Sequence, residues 1–388
     1  MNNVPKIRFK HFSDDWKSDK LGKLGTVAMN KRIFKEETSE VGEVPFYKIG
    51  TFGGEPDSFI TRDKFEEYKS KYPYPEIGDI LISASGSIGR TVEYQGEEAY
   101  FQDSNIVWLK HDERLDNSFL KQFYSIVKWQ GVEGTTIKRL YNKNILETPI
   151  GLPSISEQSS IGSLFRTLDD LLASYKDNLT NYQSLKATML SKMFPKAGQT
   201  VPEIRLDGFE SKWEEKEFSK LVKRVTQSSD SDSLPKVEFE DIISGQGRLN
   251  KDISSKFDNR KGIHFKPGYT LYGKLRPYLN NWLLPKFEGV ALGDFWVFDP
   301  NGNDSNFIYY LIQSNRYQKV ANDTSGTKMP RSDWKSVSST IFAIPQTIPE
   351  QQAIGTYFSN LDNLINSHQE KISQLEILKK KLLQDMFI

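Results

Sequence analysis

The chain has 388 residues, 37% of them hydrophobic, and a formal net charge of +1 at pH 7. That length is too great for one ordinary core and fits two domains with connecting elements. The absence of cysteine excludes disulfides, thiolate nucleophiles and cysteine-ligated zinc. A near-zero charge also excludes a chain that coats nucleic acid by charge alone, so any nucleic-acid role must rest on local basic loops or on partners.

No apolar run approaches the ~18 residues of a membrane span, and the N-terminus lacks the basic and then apolar layout of a signal peptide. We therefore expect a cytoplasmic protein with no membrane partner.

The sequence contains an internal duplication. The segment PKIRFKHFSDDW, which begins at Pro5, returns at Pro202 as PEIRLDGFESKW. A second segment, SEQSSIGSLFRTLDDLL from Ser156, returns as PEQQAIGTYFSNLDNLI from Pro349. The order is globule, long helix, globule, long helix. Such a duplicated chain suits a target that is itself twofold or in two parts.

Between these landmarks, each half mixes short β-like runs with Gly and Pro punctuation, which predicts an α+β unit. In the first half the predicted strands are Val44–Ile49, Asp79–Ser85 and Asn105–Lys110, followed by a helix over Asn117–Val127. In the second half we predict strands at Tyr269–Lys274 and Gly289–Phe298 and an amphipathic helix at Phe307–Ser314.

The two long helices carry matching heptad seams. Each seam is interrupted once, at Lys186 and at Lys379, where the adjacent Leu185 and Leu378 are expected to substitute. Two matched seams in one chain predict an antiparallel coiled coil with pseudo-twofold symmetry. A helix of ~38 residues is ~57 Å long, which exceeds one ~34 Å turn of B-DNA. The residues assigned to helix pairing and spacing are Ile161, Phe165, Leu168, Leu172, Ile354, Phe358, Leu361 and Ile365.

These observations predict five segments. They are a first α+β domain at 1–150, a first long helix at 151–194, a turn at 195–201, a second α+β domain at 202–343 and a second long helix at 344–388.

Two pairs of loops stand at corresponding places in the two halves but have different tips. One pair is Ser85–Arg90 and Lys274–Asn280, and the other is the turns 134–139 and 326–331. Arg and Lys can hold phosphates, and Arg, Lys and Asn can read base edges. A shared framework with dissimilar tips is what two readers of different sequences need. The candidate DNA-binding residues are Ser85, Ser87, Arg90, Lys138, Arg139, Tyr141, Lys274, Arg276, Tyr278, Asn280, Lys328 and Arg331.

A rival interpretation is a metal-dependent nuclease. Asp57, Glu67 and Lys69 loosely follow the spacing of two metal-binding carboxylates and a lysine that acts on the attacking water. The second half does not reproduce this pattern, and a surface run of mixed charge is the better explanation. We otherwise find no catalytic set and no metal site.

Taken together, the chain resembles the specificity subunit of a type I restriction–modification enzyme. The resemblance rests on the Ile-Arg…Phe…Trp leads, on GDILISASGSIGR and PGYTLYGKLRPYLN, and on EQxxIGxxFxxLD in both copies. It implies a non-catalytic subunit that acts in DNA methylation and host defence. Two target-recognition domains would each read one half of a split double-stranded DNA site, and the paired helices would set the spacing.

The resemblance also implies partners. Two methyltransferase subunits would dock on the helices, and motor–nuclease subunits would join for cleavage, so that S-adenosylmethionine, ATP and Mg²⁺ belong to other chains. The specificity module of a different restriction-system class remains the nearest alternative. The recognised bases, their spacing, the methylated position and the stability of the isolated chain do not follow from the sequence.

Overall fold

A computed structural model describes residues 4–130, 139–254, 259–323 and 329–387. The chain divides into two compact units. The first unit consists of Met1–Ser174 together with Ile372–Ile388, and the second is Tyr175–Lys371. Each unit therefore contains one end of both long helices. Among the described residues, none of the helices combines the length and apolar content that crossing a membrane requires.

The first unit is built around a four-stranded sheet in the order β2-β8-β5-β6, beside a three-stranded sheet β4-β3-β7 and a pair β1-β9. The strands are β1 (Lys17–Lys20), β2 (Gly25–Ala28), β3 (Val44–Tyr47), β4 (Phe59–Ile60), β5 (Ile80–Ser83), β6 (Thr91–Glu93), β7 (Tyr100–Phe101), β8 (Ile106–His111) and β9 (Pro149–Leu152). The helices are α1 (Arg62–Lys71), α2 (Asn117–Ile126), α3 (Asn142–Leu146) and the long α4 (Ile155–Met193).

The second unit repeats this plan with the sheet order β11-β20-β17-β18 and the pair β10-β21, but its small sheet has four strands, β12-β16-β19-β13, and a hairpin β14-β15 is added. The strands are β10 (Trp213–Glu217), β11 (Lys223–Val225), β12 (Ser228–Ser229), β13 (Lys236–Val237), β14 (Ile242–Ile243), β15 (Arg248–Leu249), β16 (Gly262–Phe265), β17 (Thr270–Gly273), β18 (Trp282–Leu283), β19 (Gly289–Ala291), β20 (Phe295–Asp299) and β21 (Ile341–Pro345). The helices are α5 (Phe218–Leu221), α6 (Ser305–Leu311), α7 (Asn315–Ala321), α8 (Trp334–Ser339) and the long α9 (Ile348–Asp385).

The predicted α+β class and the two long helices are confirmed, with two local corrections. The single strand predicted over Gly289–Phe298 is two strands, β19 and β20, which belong to different sheets. Gly293 between them has φ +86°, a conformation that breaks the strand and suits glycine. The helix predicted as amphipathic, α6, is buried from Phe307 to Leu311, because it lies inside the core rather than at its surface.

The long helices run antiparallel within each unit. In the first unit Lys379 of α9 donates to Asp169 of α4. In the second unit, Lys186 Nζ of α4 lies 2.6 Å from Asp362 Oδ1 of α9. The His368 ring of α9 also packs against Tyr182 of α4. In the first unit the Phe165 ring of α4 also packs against Phe387, just beyond the end of α9. In each unit the higher-numbered residue of α4 contacts the lower-numbered residue of the α9 segment, so the helices are antiparallel.

The predicted seam residues are all buried. Ile161, Phe165 and Leu168 belong to the first unit's main core, and Ile354, Phe358 and Leu361 belong to the second's. The beginning of each long helix is therefore part of a globular core as well as of the helix pair.

The prediction that Leu185 and Leu378 fill the seam in place of Lys186 and Lys379 is wrong. Lys186 keeps its place in the seam, with its side chain 13% exposed and ion-paired to Asp362, whereas Leu185 is 37% exposed. In the other copy Lys379 likewise pairs with Asp169, while Leu378 faces solvent. A lysine stem can pack along an apolar surface while its ammonium group reaches an acidic partner, so the seam keeps its period at these positions.

Candidate nucleic-acid interface

In each unit the two predicted loops meet at one edge of the main sheet. In the first unit, Ser85 in the loop after β5 forms an isolated antiparallel bridge with Arg139, the last residue of the predicted turn 134–139. The second unit forms the equivalent bridge between Leu275 and Arg331. Backbone hydrogen bonds secure both, from Leu140 N–H to the Ala84 carbonyl at 2.8 Å and from Ser332 N–H to the Lys274 carbonyl at 2.9 Å.

The first unit's loop is rigid because its polar groups bond internally. Ser85 is buried, and its hydroxyl donates to Asn105 Oδ1 at 2.7 Å. The Ser83 hydroxyl donates to the Ser87 carbonyl, and Arg90 N–H donates to Ser83 Oγ at 2.9 Å. The predicted base-edge role of Ser85 therefore competes with a bond inside the protein, and its position favours packing.

Arginine dominates the accessible part of this loop pair. Arg90 is exposed, and its Nη1 donates to the Phe52 carbonyl at 2.8 Å, which leaves the charge without an acidic partner. Arg139 and Tyr141 are also exposed. Neither arginine forms an ion pair within the parts of the chain that the structure describes. The edge thus offers two uncompensated guanidinium groups, the side chain best suited to phosphate or guanine.

The second unit's loop has a different backbone and different tips. Arg276 and Asn280 both adopt left-handed conformations, with φ of +48° and +55°. They bracket the short 3₁₀ turn Pro277–Leu279, and Arg276 N–H donates to the Pro330 carbonyl at 2.7 Å. Non-glycine residues in this conformation are uncommon and cluster at functional sites. The turn presents the exposed side chains of Arg276 and Tyr278.

The sequence did not identify Asp294 as part of this edge. Its carboxylate lies 2.8 Å from Arg331 Nη2 and 3.6 Å from Lys274 Nζ. Asp294 immediately precedes β20, as Asn105 immediately precedes β8, so the residue before the same strand holds the loop in both units. Two predicted cations are therefore partly compensated, whereas Arg276 forms no ion pair among the residues that the structure describes. The sequence feature that could have identified Asp294 is a polar residue immediately before a buried strand.

Two predicted residues, Lys138 and Lys328, lie outside the described residues.

The residues of the nuclease interpretation are each engaged separately. Asp57 Oδ1 lies 2.8 Å from Lys48 Nζ, and this hydrogen bond lowers the pKa of Asp57 below its usual range. Glu67 pairs with Lys71 at 3.0 Å, and the Lys69 ammonium lies 5.1 Å from the Phe65 ring centroid. Within the described ranges, no cluster of three or more His, Asp or Glu side chains could hold a metal ion. This geometry does not favour the nuclease interpretation.

Comparison with known families and proteins gives consistent matches. The model of the type I restriction modification DNA specificity domain matches residues 13–209 and again residues 213–377. A Haemophilus influenzae protein, provisionally assigned as a type I restriction enzyme specificity subunit, is 52% identical over 160 residues, which is 41% of this chain and 42% of that protein. The match thus spans less than half of that relative. The MjaVIII specificity subunit of Methanocaldococcus jannaschii is 21% identical over 79% of this chain and 74% of its own length.

Two solved structures share the fold. A crystal structure of a type I restriction–modification system S subunit from M. genitalium matches with a TM-score of 0.64 at 16% identity, over 99% of both chains. A structure from work on complex assembly and conformational transition of the type I R-M system matches with a TM-score of 0.52 at 13% identity, over 95% of this chain and 96% of that one.

Proposed function

Because the chain belongs to the type I restriction modification DNA specificity domain family and carries two copies of that domain, we propose that it is the DNA-recognition subunit of a type I restriction–modification complex. It acts in the cytoplasm and is itself non-catalytic. We assign recognition of one half of a bipartite site to residues 1–150 and of the other half to residues 202–343. The turn 195–201 separates the two spacer segments, 151–194 and 344–388.

One observation carries this proposal. In both units the same loop and the same later segment are bridged at the same edge of the main sheet, yet the exposed tips differ. The first unit presents Arg90, Arg139 and Tyr141, and the second presents Arg276 and Tyr278. Direct readout depends on which side chains reach the base edges, and an arginine can donate two bonds to one guanine. The two units share the same bridged loops but expose different side chains, which supports recognition of two different half-sites.

The long helices support a docking role. Four leucines on them are exposed at equivalent positions of the duplication. Leu171 and Leu378 belong to the first unit, and Leu364 and Leu185 belong to the second. Each leucine precedes a seam residue, so it flanks the seam rather than filling it. Contiguous apolar patches, unlike single exposed side chains, mark interaction surfaces. One leucine pair in each unit would give two equivalent surfaces, which fit two copies of one methyltransferase subunit.

The chemistry of the assembled enzyme then belongs to other chains. S-adenosylmethionine would be bound by the methyltransferase subunits, and ATP and Mg²⁺ by motor–nuclease subunits that join for cleavage. This chain would select the double-stranded DNA sequence to which the complex binds.

The proposal is tested with two matched substitutions, Arg276→Gln and Arg90→Gln, in the complex with its methyltransferase subunits. Each removes one exposed cation from one unit. The dissociation constant is measured on the cognate duplex and on duplexes with one half-site altered, after the methylation pattern in cells has identified the site. We expect Arg276→Gln to weaken cognate binding by about 1–3 kcal/mol and to remove discrimination at one half-site only. Arg90→Gln should do the same at the other half-site.

If both variants lose discrimination at the same half-site, the division of labour between the units is wrong. If altering either half-site leaves the dissociation constant of the unaltered complex unchanged, the chain is not the specificity component.

A further inference from the structure

The segment Met29–Lys35, which follows β2, lies at the same edge of the first unit's main sheet as the predicted DNA-binding loop. Both β2 and β5 pair antiparallel with β8, and they meet it at a shared position, since Ala28 and Leu81 are both opposite Trp108. The two strands therefore run in the same direction, and their C-terminal ends reach the same edge. The residues after Ala28 thus leave the sheet where those after Ser83 do.

This segment is anchored, so its exposed side chains have a defined place. Ile33 is buried in a small core with Val44 and Phe46. The Tyr100 hydroxyl donates to the Lys31 carbonyl at 3.0 Å. The chain then enters a short 3₁₀ turn, where Phe34 N–H donates to Glu37 Oε2 at 2.8 Å. The backbone is held on both sides of the exposed residues.

The side chains that point outward from this segment are Lys31, Arg32, Phe34 and Lys35. None of the three cations forms an ion pair in the described parts of the chain. Of Glu36 and Glu37, the two carboxylates that follow the segment in sequence, Glu37 pairs with Lys64. The segment is locally basic in a chain of net charge +1.

The cations are also arranged against aromatic rings. The Arg32 guanidinium lies 5.4 Å from the centroid of Phe34, whose side chain is 57% exposed, and Lys31 Nζ lies 5.3 Å from the Tyr72 centroid. A ring that stays more than half exposed gains little burial from folding, and it limits the directions that a neighbouring cation can take. This arrangement favours a surface prepared for an anionic partner.

The second unit does not repeat this feature. After β11, which corresponds to β2, the chain reads TQSSDSDS over residues 226–233, without a cation. The basic segment is therefore particular to the first unit and is not required by the shared fold.

We propose that Lys31, Arg32 and Lys35 bind backbone phosphates of the DNA half-site that the first unit reads. This inference rests on the proposed function. Phosphate is the group that the observations favour, because two of the three residues are lysines, which act as compact point charges on flexible stems rather than as bidentate readers of bases. The segment would add phosphate contacts at the sheet edge where Arg90 and Arg139 also lie.

The test uses the triple variant Lys31→Gln, Arg32→Gln, Lys35→Gln in the complex with methyltransferase subunits. Binding to the cognate duplex is measured over a series of salt concentrations. Each lost phosphate contact should lower the magnitude of the slope of log K against log [salt] by about 0.9, and by about 2.7 if all three cations make contacts. The loss should be the same for duplexes with either half-site altered.

The matched control is Lys23→Gln. Lys23 is also an exposed lysine of the first unit, although its Nζ lies 3.4 Å from Asp19 Oδ1. It precedes β2 and so lies at the opposite edge of the sheet. Its removal should leave the slope unchanged. Thermal unfolding of each variant chain verifies that the fold is retained.

The outcomes separate the two proposals. If the unaltered complex does not discriminate the half-sites, the proposed function fails. If it discriminates but the triple variant keeps the full salt slope, only the phosphate assignment fails. Loss of discrimination at the first half-site with an unchanged slope would also overturn it, because the residues would then be reading bases.

Discussion

At the scale of single residues, the carboxylates near the start of both long helices are structural. Glu157 is 1% exposed and forms two hydrogen bonds of 2.7 Å with the Arg8 guanidinium. Glu350 forms the equivalent pair with Arg205 at 2.7 and 2.8 Å, and Trp213 Nε1 also donates to it at 2.9 Å. The duplicated Ile-Arg leads and the duplicated Glu thus recur because each ties the start of a globule to the start of a helix.

We expect Arg8→Met to destabilise the first unit by about 3 kcal/mol, because it leaves the Glu157 carboxylate buried without a cation. The free energy of unfolding in urea, followed by a probe in the first unit, measures the loss. The double variant Arg8→Met, Glu157→Leu should recover most of it, since no buried charge is left unpaired. A double variant as unstable as the single one would mean that the pair contributes through packing alone.

At the scale of elements, the glycines of the duplicated EQxxIG motif set how closely the long helices approach the cores. A Cβ on Gly162 would lie 1.8 Å from Ser118 Oγ and 3.0 Å from the Ser118 carbonyl carbon. A Cβ on Gly355 would lie 2.7 Å from Asn306 Cβ and 3.0 Å from Phe307 N. Ser118 lies in α2, and Asn306 and Phe307 lie in α6, the corresponding helix of the second unit. The same close contact therefore recurs in both units.

Two adjacent residues of α4 allow the seam and the outer helix surface to be tested separately, because one points into the seam and the other points outward. Lys186 points into the seam beside Asp362, whereas Leu185 points outward. We expect Lys186→Ala to destabilise the second unit by about 1–3 kcal/mol, since it leaves Asp362 without its cation. The pair of substitutions Leu185→Ser and Leu364→Ser should change stability by no more than about 0.5 kcal/mol per site.

The two exposed leucines should instead matter for assembly. In their double serine variant, we expect capture of the methyltransferase subunits by the tagged chain to fall, as judged by the methyltransferase-to-chain ratio in purified complexes. Full capture, at unchanged stability, would exclude these leucines from the docking surface.

At the scale of the whole molecule, residues far apart in the chain complete one unit. The C-terminal residues Ile372–Ile388 belong with the N-terminal half. Phe387 stacks on Phe119 at a centroid distance of 5.0 Å and meets Trp16 edge-on at 6.3 Å. Ile7 N–H also donates to the Asp385 carbonyl at 2.9 Å. The first unit therefore cannot complete its core until the chain has been made as far as Phe387.

We expect Phe387→Ala to destabilise the first unit by about 3–5 kcal/mol through the cavity that it leaves in the core. Hydrogen exchange should show faster exchange in α2 and β8 and unchanged protection in α6 and β20. Ile377→Ala is the control, because Ile377 lies on α9, the helix that leads to Phe387, but is exposed. Equal loss of protection in both units would show that they unfold as a single cooperative body.

Local patterns of the sequence were sufficient for the duplication, the α+β class, the long helices and the paired loops. Repeats, the 3.6-residue period and the turn residues that follow short apolar runs are all features of neighbouring residues. Gly293 and the buried α6 show where such patterns mislead, because a strand break and complete burial depend on which sheet or core receives the segment.

Other features were decided only by tertiary structure. Asp294 and Asn105 hold the loops because β20 and β8 begin beside them. Lys31–Lys35 follows β2 at the sheet edge of the predicted interface because β2 and β5 run in the same direction on either side of β8. Lys186 belongs to the seam because Asp362 faces it from the other helix. Each of these depends on a partner contributed by a distant part of the chain. The spacing of residues in one segment carries no information about which distant segment will supply that partner.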